Sequence, residues 1–364
     1  MTTTVKPAVS DRLAVVGMSG GVDSSAAALL LREQGWKVVG VTLHLYDNET
    51  AGLEPGRTCC SLDDVEDARR TCWRLDCPHY TLNRKDLFLR EVIDPFVETY
   101  EAGRTPNPCI DCNRSVKFPA LYQTMETLGG SVIATGHYAQ VERSGDRYLL
   151  KKGKDAAKDQ SYMLYTLTQT QLAHTVFPLG GLTKDEVRAL AQERGLTSAA
   201  KPDSQDICFV PDGDYTAFLR RHTGRMPEPG PFVDPEGQVL GTHRGQLCYT
   251  IGQRRGLGVS APHRLYVCDK DPAANTVTLA EEFHLYRREL DAVRLNLTAL
   301  ERLDQPLRLN AKIRYHHREQ PAWVEQTGPD SVHVTFDQPQ RAVAPGQSLV
   351  LYDGEYVVGG GIIV

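Results

Sequence analysis

The stretch Gly17-Met18-Ser19-Gly20-Gly21-Val22-Asp23-Ser24-Ser25 constrains this chain more than any other. It follows the apolar run Leu13-Ala14-Val15-Val16 and precedes an alanine- and leucine-rich segment ending near Gly35, so its order is strand, glycine-rich turn, helix. Such a turn aims several backbone N–H groups at one point. Its glycines permit positive φ and close approach, and Ser19, Ser24 and Ser25 add hydroxyl donors. A nest of this kind favours phosphate oxygens. No Lys precedes the serine pair, so the loop is not a Walker A, and the GxGxxG of a dinucleotide site is also missing.

Residues 13 to about 208 alternate strand-like and helix-like segments. Val38 to Leu43, His79 to Leu82 and Ser131 to Thr135 read as strands. Helical patterns run to about Arg74 after a capping box at Ser61-Leu62-Asp63-Asp64, from Asp86 to Tyr100, from about Lys117 to Leu128, and over 161–194, where Thr183-Lys184-Asp185-Glu186 forms a second capping box. The fold class expected is α/β: a doubly wound parallel sheet over residues 1–211, with the phosphate loop at its first turn. After Pro211 the texture changes. A short helix near Tyr215 to His222 leads into Gly- and Pro-rich hairpins with turns at Asp234-Pro235-Glu236-Gly237 and Ala274-Asn275, giving a small mixed or β central domain over 212–282. Short alternating segments over 283–364, such as Val332 to Phe336 and Ser348 to Tyr352, predict a C-terminal β-barrel.

The chain has 364 residues, 41% hydrophobic and 24% charged, as expected of a soluble protein with two or three domains. The first ten residues are polar and no segment approaches 18 uninterrupted apolar residues, so a cytoplasmic location and no membrane partner are expected. Nine irregularly spaced cysteines then point to reactive or metal-binding thiols more than to a disulfide framework. A net charge of −5 requires any nucleic-acid surface to be a local patch.

The second informative stretch is Thr105-Pro106-Asn107-Pro108-Cys109-Ile110-Asp111-Cys112-Asn113. Its two prolines predict an extended, non-helical backbone that presents the C-x-x-C on a stiff loop. Zinc knuckles, redox pairs and iron–sulfur ligands all share that spacing. A third thiol, Cys208, follows Lys201-Pro202-Asp203-Ser204-Gln205-Asp206-Ile207. No second C-x-x-C completes a zinc site.

Ser-Gly-Gly-Val-Asp-Ser resembles the PP-loop of the ATP pyrophosphatase superfamily, whose members cleave ATP between the α- and β-phosphates and pass AMP to an oxygen. Five further motifs occur in order: Thr-Pro-Asn-Pro at 105–108, Ala-Thr-Gly-His-Tyr-Ala at 134–139, Lys-Asp-Gln-Ser-Tyr at 158–162, Ser-Gln-Asp-Ile-Cys-Phe at 204–209 and Ile-Gly-Gln-Arg-Arg-Gly-Leu-Gly at 251–258. Together the six resemble the MnmA (TrmU) family of tRNA-specific 2-thiouridylases across nearly the whole chain. The resemblance implies an adenine nucleotide alpha hydrolase-like first domain and replacement of the C2 oxygen of a wobble uridine by sulfur. ATP and Mg²⁺ would be needed, tRNAs for Lys, Glu and Gln would be the substrates, and a cysteine desulfurase or sulfur-relay protein would donate sulfur.

On the same grounds Cys208 takes the position of the family's persulfide carrier and Cys112 that of its partner cysteine. Cys109 stands where the best-known members carry aspartate. Cys109, Cys112 and Cys208 could therefore hold three irons of a four-iron, four-sulfur cluster instead, and both routes stay open at this stage. The nucleotide site implied is Gly17, Met18, Ser19, Gly20, Gly21, Val22, Asp23 and Ser24, with Leu43 beside adenine and Gly136 presenting its backbone. Asp23 could orient Mg²⁺ or simply complement the helix dipole. Asn107, Pro108 and Cys109 would line a pocket for the extruded base, with His137 beside it. Lys158, Asp159 and Gln160, the loop containing Arg254 and Arg255, and Arg314, Tyr315 and Gln347 would contact tRNA. Arg308, Lys312, Arg314, His316, His317 and Arg318 form a basic stretch with one aromatic, suited to RNA or to a solvated strand face. Two other functions fit parts of the sequence: a small-molecule PP-loop ligase, which would need no cysteine trio, and a non-catalytic sulfur carrier that binds ATP and RNA. Cys59, Cys60, Cys72, Cys77, Cys248 and Cys268 receive no role.

Overall fold

The computed structural model describes residues 12–47, 62–201 and 207–364. It divides into two compact units, one made chiefly of residues up to 92 and 109–213, the other of 93–108 and most of 214–364. Ser61, Cys59, Cys60 and the stretch Pro202 to Asp206 lie outside the described residues.

In the first unit β1 (Leu13–Gly17) pairs in parallel with β2 (Lys37–His44) on one side and β4 (Val132–Ala134) on the other. β3 (His79–Asn83) extends the sheet beyond β2, and the two-residue strand Thr175–Val176 extends it beyond β4. The chain therefore moves outward from β1 and then crosses back to β4. At such a reversal of strand order, a crevice opens beyond the carboxyl ends of the two central strands. Gly17 and the loop after it stand there.

Helix α1 (Val22–Glu33) follows the loop and is buried on two sides. Ala28 and Leu31 pack with Ala14 and Val16 of β1 and with Ala68 and Cys72 of α2 (Leu62–Arg74), while Ala26 and Ala27 meet Leu179 and Val187. Three consecutive alanines let these layers approach closely. A larger side chain at Ala27 would overpack the core, a change that costs about 1–3 kcal/mol.

One expectation changes in this unit and one element is new. Residues 161–194 do not form one helical region: a 3₁₀ turn Ser161–Leu164, a short helix Gln169–Ala173 and the strand Thr175–Val176 precede the helix Lys184–Glu193. Pro178 and the Gly180-Gly181 pair interrupt any longer helix, and an ideal Cβ on Gly180 would lie 1.9 Å from the Ala139 carbonyl oxygen. A hairpin of Ala139–Ser144 and Arg147–Lys152, not foreseen, occupies the segment before it. The Thr183 capping box forms as expected, with reciprocal bonds to Glu186.

The second unit carries a four-stranded mixed sheet, Gly230–Val233, Val239–His243, Tyr266–Asp271 and Thr276–Ala280, beside the helix Tyr215–Thr223. It also holds a six-stranded antiparallel barrel closed by pairing of the first barrel strand, Tyr286–Leu297, with the last, Tyr356–Ile363. Inward residues alternate along the strands, as in Val332, Val334 and Phe336, and meet Ala322, Val324, Leu349 and Leu351. Gly359 and Gly361 permit the closure, because a Cβ there would lie 2.4 Å from Asn296 O and 2.8 Å from Val293 O.

Candidate active site

The glycine-rich loop is braced by its own serines. Ser24 Oγ accepts from the Ser19 N–H at 3.1 Å and donates to Gly21 O at 3.1 Å, and Ser25 Oγ donates to Gly21 O at 2.9 Å. Gly20 adopts φ +75°, and a Cβ there would lie 2.4 Å from Asp64 O, so only glycine fits against α2. Gly136 meets the loop from the other side, its ideal Cβ falling 2.7 Å from the backbone of Asp23 and Ser24.

A cavity of about 230 Å³ opens above this loop. Gly17, Met18, Ser19, Asp23, Ser24, Leu43 and Gly136 line it, together with His137 and Gln160, which the sequence had assigned to tRNA, and with Val41, Thr42, Leu45, Lys117, Leu121 and Thr135. One wall is apolar and suits a base, while the floor is the N–H nest. Gly20, Gly21 and Val22 shape the loop without lining the cavity.

Two charged groups line the cavity, and they differ. Asp23 is held by Lys184, whose Nζ lies 2.8 Å from each carboxylate oxygen, and its Oδ1 also accepts from Tyr138 OH at 2.8 Å. The Lys184 side chain is 9% exposed. With both oxygens engaged, this carboxylate is not arranged as an open magnesium ligand. A hard cation entering with a nucleotide would find its oxygens on the phosphates. Lys117, by contrast, makes no ion pair among the described residues. His137 is half-buried beside it and stacks on Phe118 with ring centroids 6.0 Å apart. Burial, and secondarily the Lys117 ammonium, hold the imidazole pKa well below its usual value, so the ring is neutral. Its Nδ1 lies 2.7 Å from Thr135 Oγ1.

The C-x-x-C is helical, which corrects the extended loop expected from its prolines. Pro108 opens the helix Pro108–Cys112, a position where proline is tolerated because no N–H bond is needed. A π-helical turn, Asn113–Lys117, and the helix Phe118–Thr127 follow without a break. Cys109 is exposed, Cys112 buried and Cys208 half-buried, all as thiols, and none lines the cavity. Tyr46 OH donates to the Cys208 carbonyl at 2.5 Å, with Phe88 packed on Tyr46 and on Phe209. Among the described residues no three His, Cys, Asp or Glu side chains are grouped to hold a metal ion. As arranged, Cys109, Cys112 and Cys208 do not form a cluster ligand set.

Of the residues expected to meet tRNA, Arg254 and Arg255 are exposed on a loop shaped by Gly252 and Gly256 at φ +87° and +75°. Asp159 is turned inward on its own loop, accepting from Gly153 N, Ser161 N and Ser161 Oγ, while Gln160 accepts from Tyr138 N and Lys158 is half-buried. Arg314 donates to Arg341 O, and Tyr315 packs edge-on to His316 with Lys312 over its ring. Gln347 donates to the carbonyls of Thr105 and Pro106, ahead of Asn107. Arg308 is neutralised by a two-pronged pair with Asp337, so it does not contribute an unpaired charge to the basic stretch.

Lys184, Lys117 and Tyr138 were missed. Lys184 left one trace in the sequence: a cation in the first turn of a helix opposes the helix dipole and needs a nearby carboxylate to justify it. Lys117 left none.

A parallel sheet with a serine-braced phosphate nest at its switch point defines an adenine-nucleotide-binding α/β class. Family models match in three consecutive pieces: a tRNA methyl transferase HUP domain over residues 12–212, a tRNA methyl transferase PRC-barrel domain over 216–281 and an aminomethyltransferase beta-barrel domain over 287–363. The tRNA-specific 2-thiouridylase MnmA of Clostridioides difficile is 48% identical over 96% of this chain and 97% of that protein. The MnmA of Acetivibrio thermocellus is 49% identical over 98% of this chain and 100% of its own length. Among solved structures, a 4-thiouridine synthetase in complex with RNA and ATP aligns with a TM-score of 0.37 and 21% identity, covering 58% of this chain and 50% of that one. The chain belongs to the MnmA family of tRNA-specific 2-thiouridylases.

Proposed function

We propose that this chain converts a wobble uridine of tRNA to 2-thiouridine in two steps. The observation that carries this reading is the nucleotide cavity, assembled from the PP-loop, Leu43 and Gly136. In the first step the uracil O2 bonds to the α-phosphorus of ATP and the bond to pyrophosphate breaks. The N3 proton leaves to solvent, and AMP is now the leaving group. In the second, a persulfide on Cys208 attacks C2 and expels AMP. Cys112 thiolate then attacks the Cys208 sulfur, forming a Cys112–Cys208 disulfide and leaving the terminal sulfur on C2 as the thiocarbonyl while N3 takes a proton back from solvent. A thiol reductant restores both thiols. Mg²⁺ bound with the nucleotide would screen the charge of its phosphates.

Asn107, Pro108 and Cys109 receive the extruded base beside His137. Lys158, Arg254, Arg255, Arg314 and Tyr315 hold the tRNA backbone. The boundaries at 211/212 and 282/283 separate the catalytic, central and barrel parts of this work. Sulfur arrives from a cysteine desulfurase or a sulfur-relay protein, the acceptors are tRNAs for Lys, Glu and Gln, and the cytoplasm, where thiols stay reduced, is the setting. Among the described residues, no helix is long and apolar enough to cross a membrane.

The test uses unmodified Lys tRNA, Mg-ATP and a persulfide donor with iron-free protein. Stoichiometric pyrophosphate, AMP and 2-thiouridine are expected from the wild type, with pyrophosphate and an adenylated tRNA but no thiouridine from Cys208→Ser. An absolute requirement for iron and acid-labile sulfide would replace the persulfide route, and AMP release that depends on a small amine instead of tRNA would favour a ligase.

A further inference from the structure

The cavity carries one more functional group than the PP-loop supplies. Asp23 and Lys117 are the formally charged residues on its wall, and Asp23 is cancelled by Lys184. The other cation of the same helical segment, Arg114, is tied to Asp111 at 2.5 Å. Lys117 is thus the cavity's unneutralised charge among the described residues. An unpaired ammonium is half-buried there at a cost in hydration, with a neutral histidine and apolar side chains around it.

The backbone is bent to put it there. Residues Asn113–Lys117 form a π turn, and Phe118 N–H bonds to Asn113 O, five residues back. In a regular α-helix a residue five positions after Cys112 has rotated about 140° past it. The wider turn lessens that rotation and swings the residue back towards the side of the helix that carries Cys112. Single π turns inside helices are rare and concentrate at functional sites. The segment that carries a thiol of the sulfur step thereby also delivers a cation to the nucleotide cavity.

We infer that Lys117 is a catalytic residue of the adenylation step, its ammonium bonding to the non-bridging oxygens of the α-phosphate as negative charge builds there during attack by the uracil oxygen. This rests on the adenylation reading above. The PP-loop N–H groups bind the departing pyrophosphate, and Lys117 approaches from the wall of Thr135 and His137. Electrostatic stabilisation of this kind is realised mainly in the transition state, so its loss reads out in rate more than in affinity.

The experiment compares wild type with Lys117→Met and Lys117→Arg in single-turnover pyrophosphate release on unmodified tRNA. Binding of α,β-methylene ATP and the thermal midpoint are measured beside it. Lys117→Met is expected to slow pyrophosphate release about 10²–10³-fold, the range seen when one such donor is removed, with analogue affinity within about threefold. Its melting temperature should be unchanged, and Lys117→Arg should recover part of the rate. An unchanged rate in Lys117→Met at saturating ATP overturns the inference, as does a loss of analogue affinity that alone accounts for the defect. Absence of tRNA-dependent pyrophosphate release from the wild type overturns the adenylation reading and this inference together.

Discussion

The side-chain amide of Gln347 donates to the carbonyl of Pro106 at 2.9 Å and reaches the Thr105 carbonyl at 3.2 Å. The Thr105 N–H in turn donates to Pro345 O at 2.8 Å, and a Cβ on Gly346 would lie 2.8 Å from Thr105 O. Two prolines leave that loop few N–H groups with which to hold itself, so its order is supplied from Pro345, Gly346 and Gln347. Gln347→Ala removes two acceptors' partners, each net bond being worth about 1 kcal/mol. Hydrogen exchange at the Thr105 amide should accelerate about fivefold or more, with tRNA affinity falling alongside. Unaltered exchange would show that Gln347 does not order the loop.

Lys184→Met strands the Asp23 carboxylate beside a phosphate site. Breaking a buried pair costs about 3–5 kcal/mol, but a third of the Asp23 side chain is exposed, so a loss of roughly 1–3 kcal/mol is expected, together with weaker ATP binding. Asp23→Asn in the same chain should restore part of both. Urea unfolding and nucleotide titration of the single and double variants measure this directly, and strictly additive losses would deny the coupling.

Gly136→Ala sets a methyl group 2.7 Å from the backbone at the start of α1. Because those atoms are main chain, relief comes only by moving the nest. ATP affinity should fall at least tenfold while the barrel, in the other unit, keeps its stability. Normal binding by the variant would mean that the crevice is more compliant than its packing indicates.

Burial, then the Arg314 and Lys312 charges, push the His317 pKa down to about 4 from 6.5. Below pH 6.5 the unfolded chain takes up a proton that the native imidazole refuses, so stability contributed by this group is lost as pH falls from about 6.5 towards 4. His137 acts in the same direction. His317→Gln should flatten the acid side of a plot of unfolding midpoint against pH. Coincident profiles for the two proteins would place the titration elsewhere.

How much of this could be read beforehand depends on the range of the interactions. The strand, glycine turn and helix around Gly17–Ser25 and the Thr183–Glu186 box are encoded within a few residues of each other, and both were legible. Pro106 and Pro108 were read as one extended stretch because local rules favour it. Only the first role holds, since Pro108 begins a helix, the one helical position that tolerates it well. The break of 161–194 was signalled by Pro178 and Gly180-Gly181 but outweighed by helical periodicity on either side. Lys117 was invisible for a different reason. Its direction is set by a hydrogen bond from Phe118 to Asn113 that no spacing rule anticipates, and its significance depends on Asp23 being paired with a residue 161 positions away.

The barrel's first strand bonds to its last, Ala292 opposite Ile363 and Leu297 opposite Gly359. During synthesis on a ribosome, the ring stays open until those final glycines and isoleucines have left the exit tunnel. Until then two exposed edges, at Tyr286–Leu297 and Ser348–Asp353, await a partner that any stray strand could imitate.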